Sequence, residues 1–519
     1  MRSVHLIIVI HGLYGSTLNL SVVEEELMRA GGEVEQGAEA GNRKRGAPSS
    51  TLSHVHGRDR RRYQGGEEEG GREEGEGGGE TVVYLAQSIK GSRTWDGIDV
   101  CAHRIAEEVD KEIERLQDVG KDVTGFSVMG YSMGGLYARY LIGLLHARQP
   151  SFFSRHRPVS FSTAATPHLG VLRYATRSNA IITRLGRVLF SRTGRQIFCQ
   201  DKEPEWGGRS LLEFMAEPDH VFVKALKLFP KIMLVVNGCH DLTVPYPTAA
   251  ISSTDPFADP SNLILESDDN HIVKSYLPVP IPDPESLPVD HSADIDADGE
   301  EVTVTVSTTM YQPTRSVIGR TRPPVPPLFV LPLRYPFNYT LWLLFPILIP
   351  IFLLYVATMF AVHDYHSRRR TRSHLDAVER QPLLTSSVNL VDETSNGVIP
   401  NARERTFELD SGRDKTYDQL EDPMSPQIAE EDQYGTSTPL MIESASAAGQ
   451  PLLTPIQRVM ITNLNEAIPH LERLISWFPW EFNSHGLIIC RDVSRFPSRE
   501  DGRGIVRAWA NYVVSAGKS

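Results

Sequence analysis

The chain has 519 residues, a hydrophobic fraction of 40% and a formal net charge of −12 at pH 7. The acidic excess sits largely in low-complexity segments, so it describes solvated tails and argues against nucleic acid as a partner. The four cysteines, Cys101, Cys199, Cys239 and Cys490, have no C-x-x-C spacing, which supports neither a zinc site nor a disulfide scaffold and fits a reducing compartment.

The N-terminal run VHLIIVI at 4–10 has the β-branched composition of a parallel strand that is buried on both faces. Its apolar part, Leu6 to Ile10, is too short for the apolar region of a signal peptide and leads directly into His11-Gly12 without a small-residue cleavage site. We therefore expect a first core strand and no signal peptide, followed by a helical stretch near 17–30.

Strands and helices then alternate, which predicts a mostly parallel, doubly wound α/β sheet. The predicted strands lie at 81–85, 123–129, 159–163 and 232–237. The predicted helices lie near 97–117 and 133–148, a helix-rich stretch at 171–229 could cover a site, and the C-terminal part should contain a helix near 455–477, a strand near 487–491 and a helix near 503–515.

Composition divides the chain into a folded core and several interruptions. Low-complexity Gly/Glu, Pro-rich and Ser/Thr-rich stretches cannot bury enough apolar surface to offset the entropy of the chain, so we expect them to be disordered or linkers. The predicted organisation is a core of 1–32 and 81–278, a disordered insertion at 33–80, a Pro-rich linker at 279–335, a hydrophobic membrane segment at 336–363, a disordered acidic tract at 364–452 and a second core part at 453–519.

The sequence GYSMG at 130–134 follows a predicted strand and precedes a predicted helix, the setting in which G-x-S-x-G marks a strained turn that exposes a serine. Ser132 is therefore the candidate nucleophile. A second motif, HGLYG at 11–15, follows the first strand. Many hydrolases with a G-x-S-x-G turn place an oxyanion donor in the loop after an early strand. We expect the backbone N–H groups of Leu13 and Met133 to form the oxyanion hole.

A serine nucleophile needs a base and an acid, which in this kind of sheet follow it in the order acid, then histidine. Asp241 comes directly after the strand at 232–237 and is the candidate acid. His485 and His271 both follow Asp241, and the residues alone leave open which of them is the base. His168 precedes the acid, so we expect it to pack beneath the site.

Several stretches resemble the eukaryotic putative serine esterase family of the α/β-hydrolase superfamily, most closely its fungal branch with a lipid-droplet phospholipase and a monoacylglycerol lipase. They include HLIIVIHGLYG at 5–15, YLAQSIKGSRTWDGIDVCAHRIAEEV at 84–109, FSVMGYSMGGLYARYLIGLL at 126–145 and NGCHDLTVPYPTAAISSTDPF at 237–257. The resemblance implies an α/β-hydrolase fold, hydrolysis of acyl esters of lipids, and Ser132, Asp241 and His485 as the catalytic triad.

The uncharged segment 341–362 has 22 residues, enough at ~1.5 Å per residue to cross a ~30 Å hydrocarbon core. A single crossing would place Asp241 and His485 on opposite sides of a membrane. Pro346 and Pro350 interrupt helical hydrogen bonding, and arginines flank both ends, so we favour a re-entrant anchor. A buried core helix and a plain membrane span are the alternatives.

The resulting hypothesis is a serine lipase that cleaves glycerophospholipids without metal or cofactor at a lipid droplet or another cytosolic membrane surface such as the endoplasmic reticulum. A monoacylglycerol lipase or other carboxylesterase is the alternative within this class. A catalytically silent membrane adaptor is the alternative from another class. The expected partners are the lipid substrate and the lipid surface, and the sequence gives no indication of oligomeric state.

Overall fold

The central element of the computed structural model is a parallel six-stranded sheet with strand order β2-β1-β3-β4-β5-β8. Its strands are β1 Arg2–Ile10, β2 Glu80–Leu85, β3 Lys121–Tyr131, β4 Arg157–Ala164, β5 Lys231–Asn237 and β8 Leu471–Ser476. The remaining strands, β6 Leu263–Ser267 and β7 Val273–Pro278, form a separate antiparallel hairpin that the sequence did not predict.

The structure describes residues 1–32, 80–174, 191–203, 206–278, 337–378 and 450–518, all of them in one compact unit. The segments predicted as disordered or linkers, 33–80, 279–335 and 364–452, lie wholly or largely outside these residues. So does part of the stretch 171–229.

Helices cover both faces of the sheet, as the alternating sequence predicts. The α-helices are α1 Ser21–Gly31, α2 Ile98–Asp118, α3 Met133–His146, α4 Ser191–Ile197, α5 Leu211–Phe214, α6 Val221–Lys227, α7 Tyr246–Ala250, α8 Phe337–Val378, α9 Pro455–Ala467 and α10 Arg503–Lys518. Short 3-10 helices are Thr17–Leu20, Gly91–Trp95, Phe152–Ser154, Pro260–Asn262, Ser484–Ile489 and Pro497–Gly502.

Two apolar layers hold these helices against the sheet. Successive side chains of a strand point to opposite faces, so in β1 Leu6 and Ile8 join the layer with α2 and α3, whereas Ile7 and Val9 join the layer with α1 and α10. Trp509 of α10 is fully buried in the second layer, and its Nε1 donates a hydrogen bond to Ser162 Oγ at 2.8 Å. The strands read as continuous apolar runs because both faces are covered.

The C-terminal part differs from the sequence prediction in two ways. The predicted helix at 455–477 stops at Ala467, because Pro469 cannot continue it, and residues 471–476 form β8 instead. The predicted strand at 487–491 is a 3-10 helix, Ser484–Ile489. Its buried run Leu487–Ile489 is apolar, and a short apolar run does not by itself distinguish a strand from a helical turn.

The hydrophobic segment lies in α8, a single helix of 42 residues that continues through Pro346 and Pro350. The predicted re-entrant turn within 341–362 is therefore wrong. The two prolines are four residues apart, so they share one side of the helix, where lost hydrogen bonds bend a helix without reversing it. Residues Pro346–Arg372 are long and apolar enough to cross a membrane.

Candidate active site

Ser132 occupies the turn between β3 and α3 with strained backbone angles, φ 55° and ψ −127°. A residue with a β-carbon rarely adopts a positive φ, and such strain persists only where the surroundings impose it. Here the Ser132 N–H donates to the Ala164 carbonyl of β4 at 2.8 Å, which fixes the turn to the sheet. Ser132 is 7% exposed and stands at the carboxyl end of the strands.

Close packing leaves no room for a β-carbon at the glycine positions of G-x-S-x-G. A β-carbon on Gly130 would lie 2.5 Å from the backbone of Gly135, and one on Gly134 would lie 2.2 Å from the carbonyl oxygen of Ile10. Gly12 of the HGLYG motif has the same role, because a β-carbon there would lie 2.7 Å from Ser132 Cβ. The first loop and the serine turn therefore meet through glycine backbone, as the two motifs predict.

His485 and Asp241 complete a hydrogen-bonded chain with the serine. His485 Nε2 lies 3.1 Å from Ser132 Oγ, and His485 Nδ1 lies 3.0 Å from Asp241 Oδ2. With Nδ1–H donating to the carboxylate, Nε2 is left as an acceptor for the serine hydroxyl. The residues are 353 and 244 positions apart in the sequence, respectively, and all three are buried.

The Asp241 carboxylate is held by further donors that fix its orientation. Oδ1 accepts from the backbone N–H groups of Thr243 and Val244 at 3.0 and 2.8 Å, and Oδ2 accepts from Asn237 Nδ2 at 2.8 Å. Because every oxygen already has a defined donor, the carboxylate cannot rotate away from His485 without losing hydrogen bonds.

The loops that carry acid and base are also tied to each other. Ser484 Oγ donates to the Cys239 carbonyl at 2.7 Å, and Ser484 N–H donates to the His240 carbonyl at 2.9 Å. Strand β8 pairs with β5 immediately before the two loops, so sheet register sets the distance between Asp241 and His485.

Tyr131, the variable residue of G-x-S-x-G, has a role that the sequence did not indicate. Its hydroxyl donates to the His485 carbonyl at 2.8 Å, and its ring lies 5.2 Å from the imidazole. Burial raises the pKa of Tyr131, so the phenol remains a hydrogen-bond donor. A buried tyrosine needs such a partner, but the motif does not say which one.

The two expected oxyanion donors lie beside the serine. Met133 is the first residue of α3, where a helical N–H has no partner within the helix, and Leu13 follows Gly12 in the first loop. Within the described residues neither N–H donates to a protein acceptor. Both amides are thus available to a negatively charged oxygen close to Ser132.

The other histidines lie elsewhere. The His271 ring packs at 4.8 Å from Trp480 and 5.5 Å from Phe478, away from Ser132. His168 is buried beneath the site, where its Nε2 lies 2.9 Å from Thr163 Oγ1, and burial lowers its pKa well below the usual value. His485 is therefore the histidine that the fold brings to the serine.

A cavity of about 480 Å³ opens above Ser132 and His485. Phe482 and Phe496 supply apolar walls, which suits an acyl chain. Two cations that the sequence did not single out, Arg491 and Arg499, also line the cavity. Across the described ranges no group of three or more His, Cys, Asp or Glu side chains is arranged to hold a metal ion.

The comparisons with known proteins agree with this geometry. The sequence profile of the family described as "Putative serine esterase (DUF676)" matches residues 71–254, which include the serine turn and Asp241. A protein of Schizosaccharomyces pombe named as a putative lipase is 32% identical over 150 residues, which is 27% of this chain and 19% of that protein. The putative lipase ROG1 of Saccharomyces cerevisiae is 26% identical over 182 residues, 33% of this chain and 25% of ROG1.

These matches span about a fifth to a quarter of the relatives' own lengths. Among solved structures, the putative cell surface hydrolase of Lactobacillus plantarum matches 47% of this chain and 74% of its own, with a TM-score of 0.21 and 13% identity. The fold assignment depends instead on the parallel sheet, its flanking helices and the strained serine turn. The chain has an α/β-hydrolase fold, and its residues 71–254 are similar to the putative serine esterase family.

Proposed function

We propose that this protein is a serine lipase that hydrolyses acyl esters of lipids through an acyl-enzyme. The observation that carries the proposal is the hydrogen-bonded chain from Asp241 through His485 to Ser132, which opens into a partly apolar cavity. A buried carboxylate, an imidazole in one tautomer and a serine hydroxyl within 3.1 Å are the parts that nucleophilic acyl transfer needs.

In the first half-reaction, His485 Nε2 takes the proton of Ser132 while Oγ bonds to the ester carbonyl carbon. The amides of Leu13 and Met133 donate to the resulting oxyanion, and Asp241 stabilises the imidazolium. The imidazolium then protonates the leaving alcohol as its bond to the acyl carbon breaks. In the second half-reaction water replaces the alcohol, releases the fatty acid and restores Ser132.

A glycerophospholipid is the first choice of substrate and monoacylglycerol the second. The resemblance to the fungal branch supports both, and the two yeast relatives are named as putative lipases. The phenylalanines of the cavity wall support an acyl chain but do not distinguish the two lipids.

The second part of the proposal is that the enzyme works at a lipid surface, either a lipid droplet or the cytosolic face of a membrane such as the endoplasmic reticulum. Support comes from α8, whose apolar side chains in the range 347–355 are 42–69% exposed. Contact between so large an apolar surface and water is unfavourable, and insertion of this surface into lipid would remove that contact.

The C-terminal half of α8 packs on the core beside the first loop of the site. Phe360 stacks on Trp95 with ring centroids 5.3 Å apart, and His363 lies 6.2 Å from Tyr14, which follows the proposed donor Leu13. Arg370 donates to the buried carboxylate of Asp96 at 2.7 Å. The apolar half of α8 thus continues from residues that pack beside the first loop of the site, which supports a lipid surface near that loop.

The path of the chain supports an α8 that enters lipid without crossing it. The chain leaves the core after Pro278, and α8 returns to the same core at its C-terminal half. If α8 crossed a bilayer, residues 279–336 would have to cross too, and their sequence has no uncharged run near the ~20 residues that a crossing requires.

The hydrolase proposal is tested with a fluorophosphonate probe that labels activated serines. We expect labelling of the wild type, no labelling of Ser132→Ala, and normal labelling of Ser498→Ala, a matched serine that lines the same cavity. A wild type that takes no label would favour the silent adaptor.

The surface proposal is tested by protease protection of tags placed before and after α8 in protein bound to microsomes or lipid droplets. We expect both tags to be cut from the cytosolic side. Protection of one tag only would mean that α8 spans the bilayer and would contradict the proposal.

A further inference from the structure

The catalytic cavity contains more positive charge than an ester bond requires. Its charged lining residues besides the candidate base are Arg491, Arg499 and Glu481, so with His485 neutral the lining has one net positive charge. Taking guanidinium groups partly out of water is unfavourable unless an anion is bound there. A wholly uncharged lipid in this cavity would leave the net positive charge of its lining unbalanced.

Arg499 is held directly beside the candidate base. A β-carbon added to Gly486, the residue after His485, would lie 3.0 Å from Arg499 Cζ and 3.2 Å from Nη2. The guanidinium also lies 4.2 Å from the centre of the Phe496 ring, and its Nη1 donates to the Arg491 carbonyl at 2.7 Å. These contacts fix the Arg499 side chain without a bound ligand.

Arg499 forms no ion pair within the described part of the chain, whereas the Arg491 Nε has only a long contact of 3.8 Å to Asp492 Oδ2. Asp492 is partly occupied elsewhere, since its Oδ1 accepts from Asn19 at 3.1 Å. Glu481 is the acidic residue of the cavity lining. Burial and then the neighbouring charge of Arg491 lower the pKa of Arg499, and the charges of Asp492 and Glu481 offset this only in part.

We propose that Arg499 and Arg491 bind the phosphate of a glycerophospholipid while its acyl ester lies at Ser132. This inference rests on the proposed hydrolase function and deepens it, because it assigns the choice of substrate to two residues. Guanidinium groups recognise phosphate oxygens through planar pairs of N–H donors, which lysine cannot supply. The phosphate and the acyl esters share one glycerol unit, so a single cavity can hold both.

The test uses two soluble esters that differ only in the phosphate, 1-hexanoyl glycerol 3-phosphate and 1-hexanoyl glycerol, both below micelle-forming concentrations. We expect the wild type to hydrolyse the phosphate ester with a kcat/KM at least about tenfold higher. Arg499→Met should lose about tenfold or more on the phosphate ester and less than about twofold on the neutral ester. Arg491→Met should behave in the same way with a smaller loss, because Asp492 already offsets part of its charge.

Two variants serve as controls. Arg499→Lys keeps the charge without the planar donors and should recover only part of the preference. Arg495→Met removes an exposed arginine of the same loop that does not line the cavity, and it should leave both activities unchanged. Retained hydrolysis of the neutral ester shows that a variant still has an intact catalytic site.

The outcomes separate the inference from the function on which it rests. A wild type that hydrolyses neither ester and takes no fluorophosphonate label would overturn both. Equal use of the two esters by wild type and variants, or an equal loss on both esters in Arg499→Met, would overturn only the phosphate assignment. A third arm adds inorganic phosphate to the neutral-ester assay: inhibition that depends on Arg499, without any preference between esters, would show a site for free phosphate instead.

Discussion

Replacing Asp241 by Asn keeps the shape of the side chain but exchanges one oxygen acceptor for an NH2 donor. Oδ1 accepts from two backbone N–H groups, so the amide oxygen of the new residue has to take that position. The NH2 group then replaces Oδ2 and faces His485 Nδ1 and Asn237 Nδ2. His485 can accept this hydrogen bond only in its other tautomer, with the proton on Nε2.

An imidazole that is protonated on Nε2 cannot take the proton of Ser132. The same exchange lowers kcat about 10⁴-fold in a serine protease, and we expect a loss of about 10³- to 10⁴-fold here. At ~1.4 kcal/mol per factor of ten this is about 4 to 5.5 kcal/mol of barrier. Folding should suffer far less, because the lost hydrogen bond from Asn237 is worth only about 1 kcal/mol.

The assay is hydrolysis of p-nitrophenyl butyrate, with thermal unfolding as the check on folding. Asp269→Asn, which changes an exposed carboxylate outside the site, is the matched control and should keep wild-type activity. If the folded Asp241→Asn protein keeps more than about a tenth of the wild-type kcat, then the carboxylate does not set the tautomer of His485 and the reasoning is refuted.

Three further outcomes are expected. His485→Gln should abolish hydrolysis of p-nitrophenyl butyrate, whereas His271→Gln should keep it. The reverse result would mean that His271, and not His485, is the base. Burial, and then the charge of Arg157, lower the pKa of His5 from 6.5 to about 4. Because the unfolded chain binds this proton more readily, the free energy of unfolding has its full value above pH 6.5 and decreases as the pH drops towards 4. Urea unfolding at pH 7 and 4.5 should show that His5→Gln removes about 2 kcal/mol of this loss, and an unchanged pH dependence would exclude His5 as its source. Gly12→Ala would place a β-carbon 2.7 Å from Ser132 Cβ. It should lower kcat more than about tenfold and the melting temperature by only a few degrees, because overpacking costs about 1–3 kcal/mol; full activity would mean that the first loop is not held against the serine.

The parts of the site that the sequence predicts are local ones. The turn at Ser132 can be recognised because the small residues, the preceding strand and the following helix all lie within a short stretch, and close packing against Ile10 and Gly135 explains why they are small. The alternation of strands and helices likewise predicts the parallel sheet, since each buried strand reads as a continuous apolar run.

The parts that the sequence left open depend on distant pairing. Whether His485 or His271 meets Ser132 follows from β8 pairing with β5, and the sequence pattern predicts the end of a helix where β8 lies. The hairpin of β6 and β7 and the place of Arg499 in the cavity are settled by tertiary packing in the same way.

The expectation that prolines break the hydrophobic segment was wrong for a different reason. A proline inside a helix costs about 3 kcal/mol, which is a penalty and not a prohibition. Pro346 and Pro350 lie within a helix of 42 residues whose C-terminal half is held to the core by Arg370 and by buried Ser367. Neighbouring turns keep their hydrogen bonds, so the helix continues where a local rule predicts a break.

The order of the catalytic parts along the chain has a consequence for biosynthesis. A ribosome releases the serine turn and the acid long before residue 485 is made, and β8, which positions the imidazole, is the last of the described strands along the chain. A nascent or prematurely terminated chain therefore carries a nucleophile without its proton acceptor. Under the proposed function, hydrolysis by the serine can begin only after translation has passed residue 485.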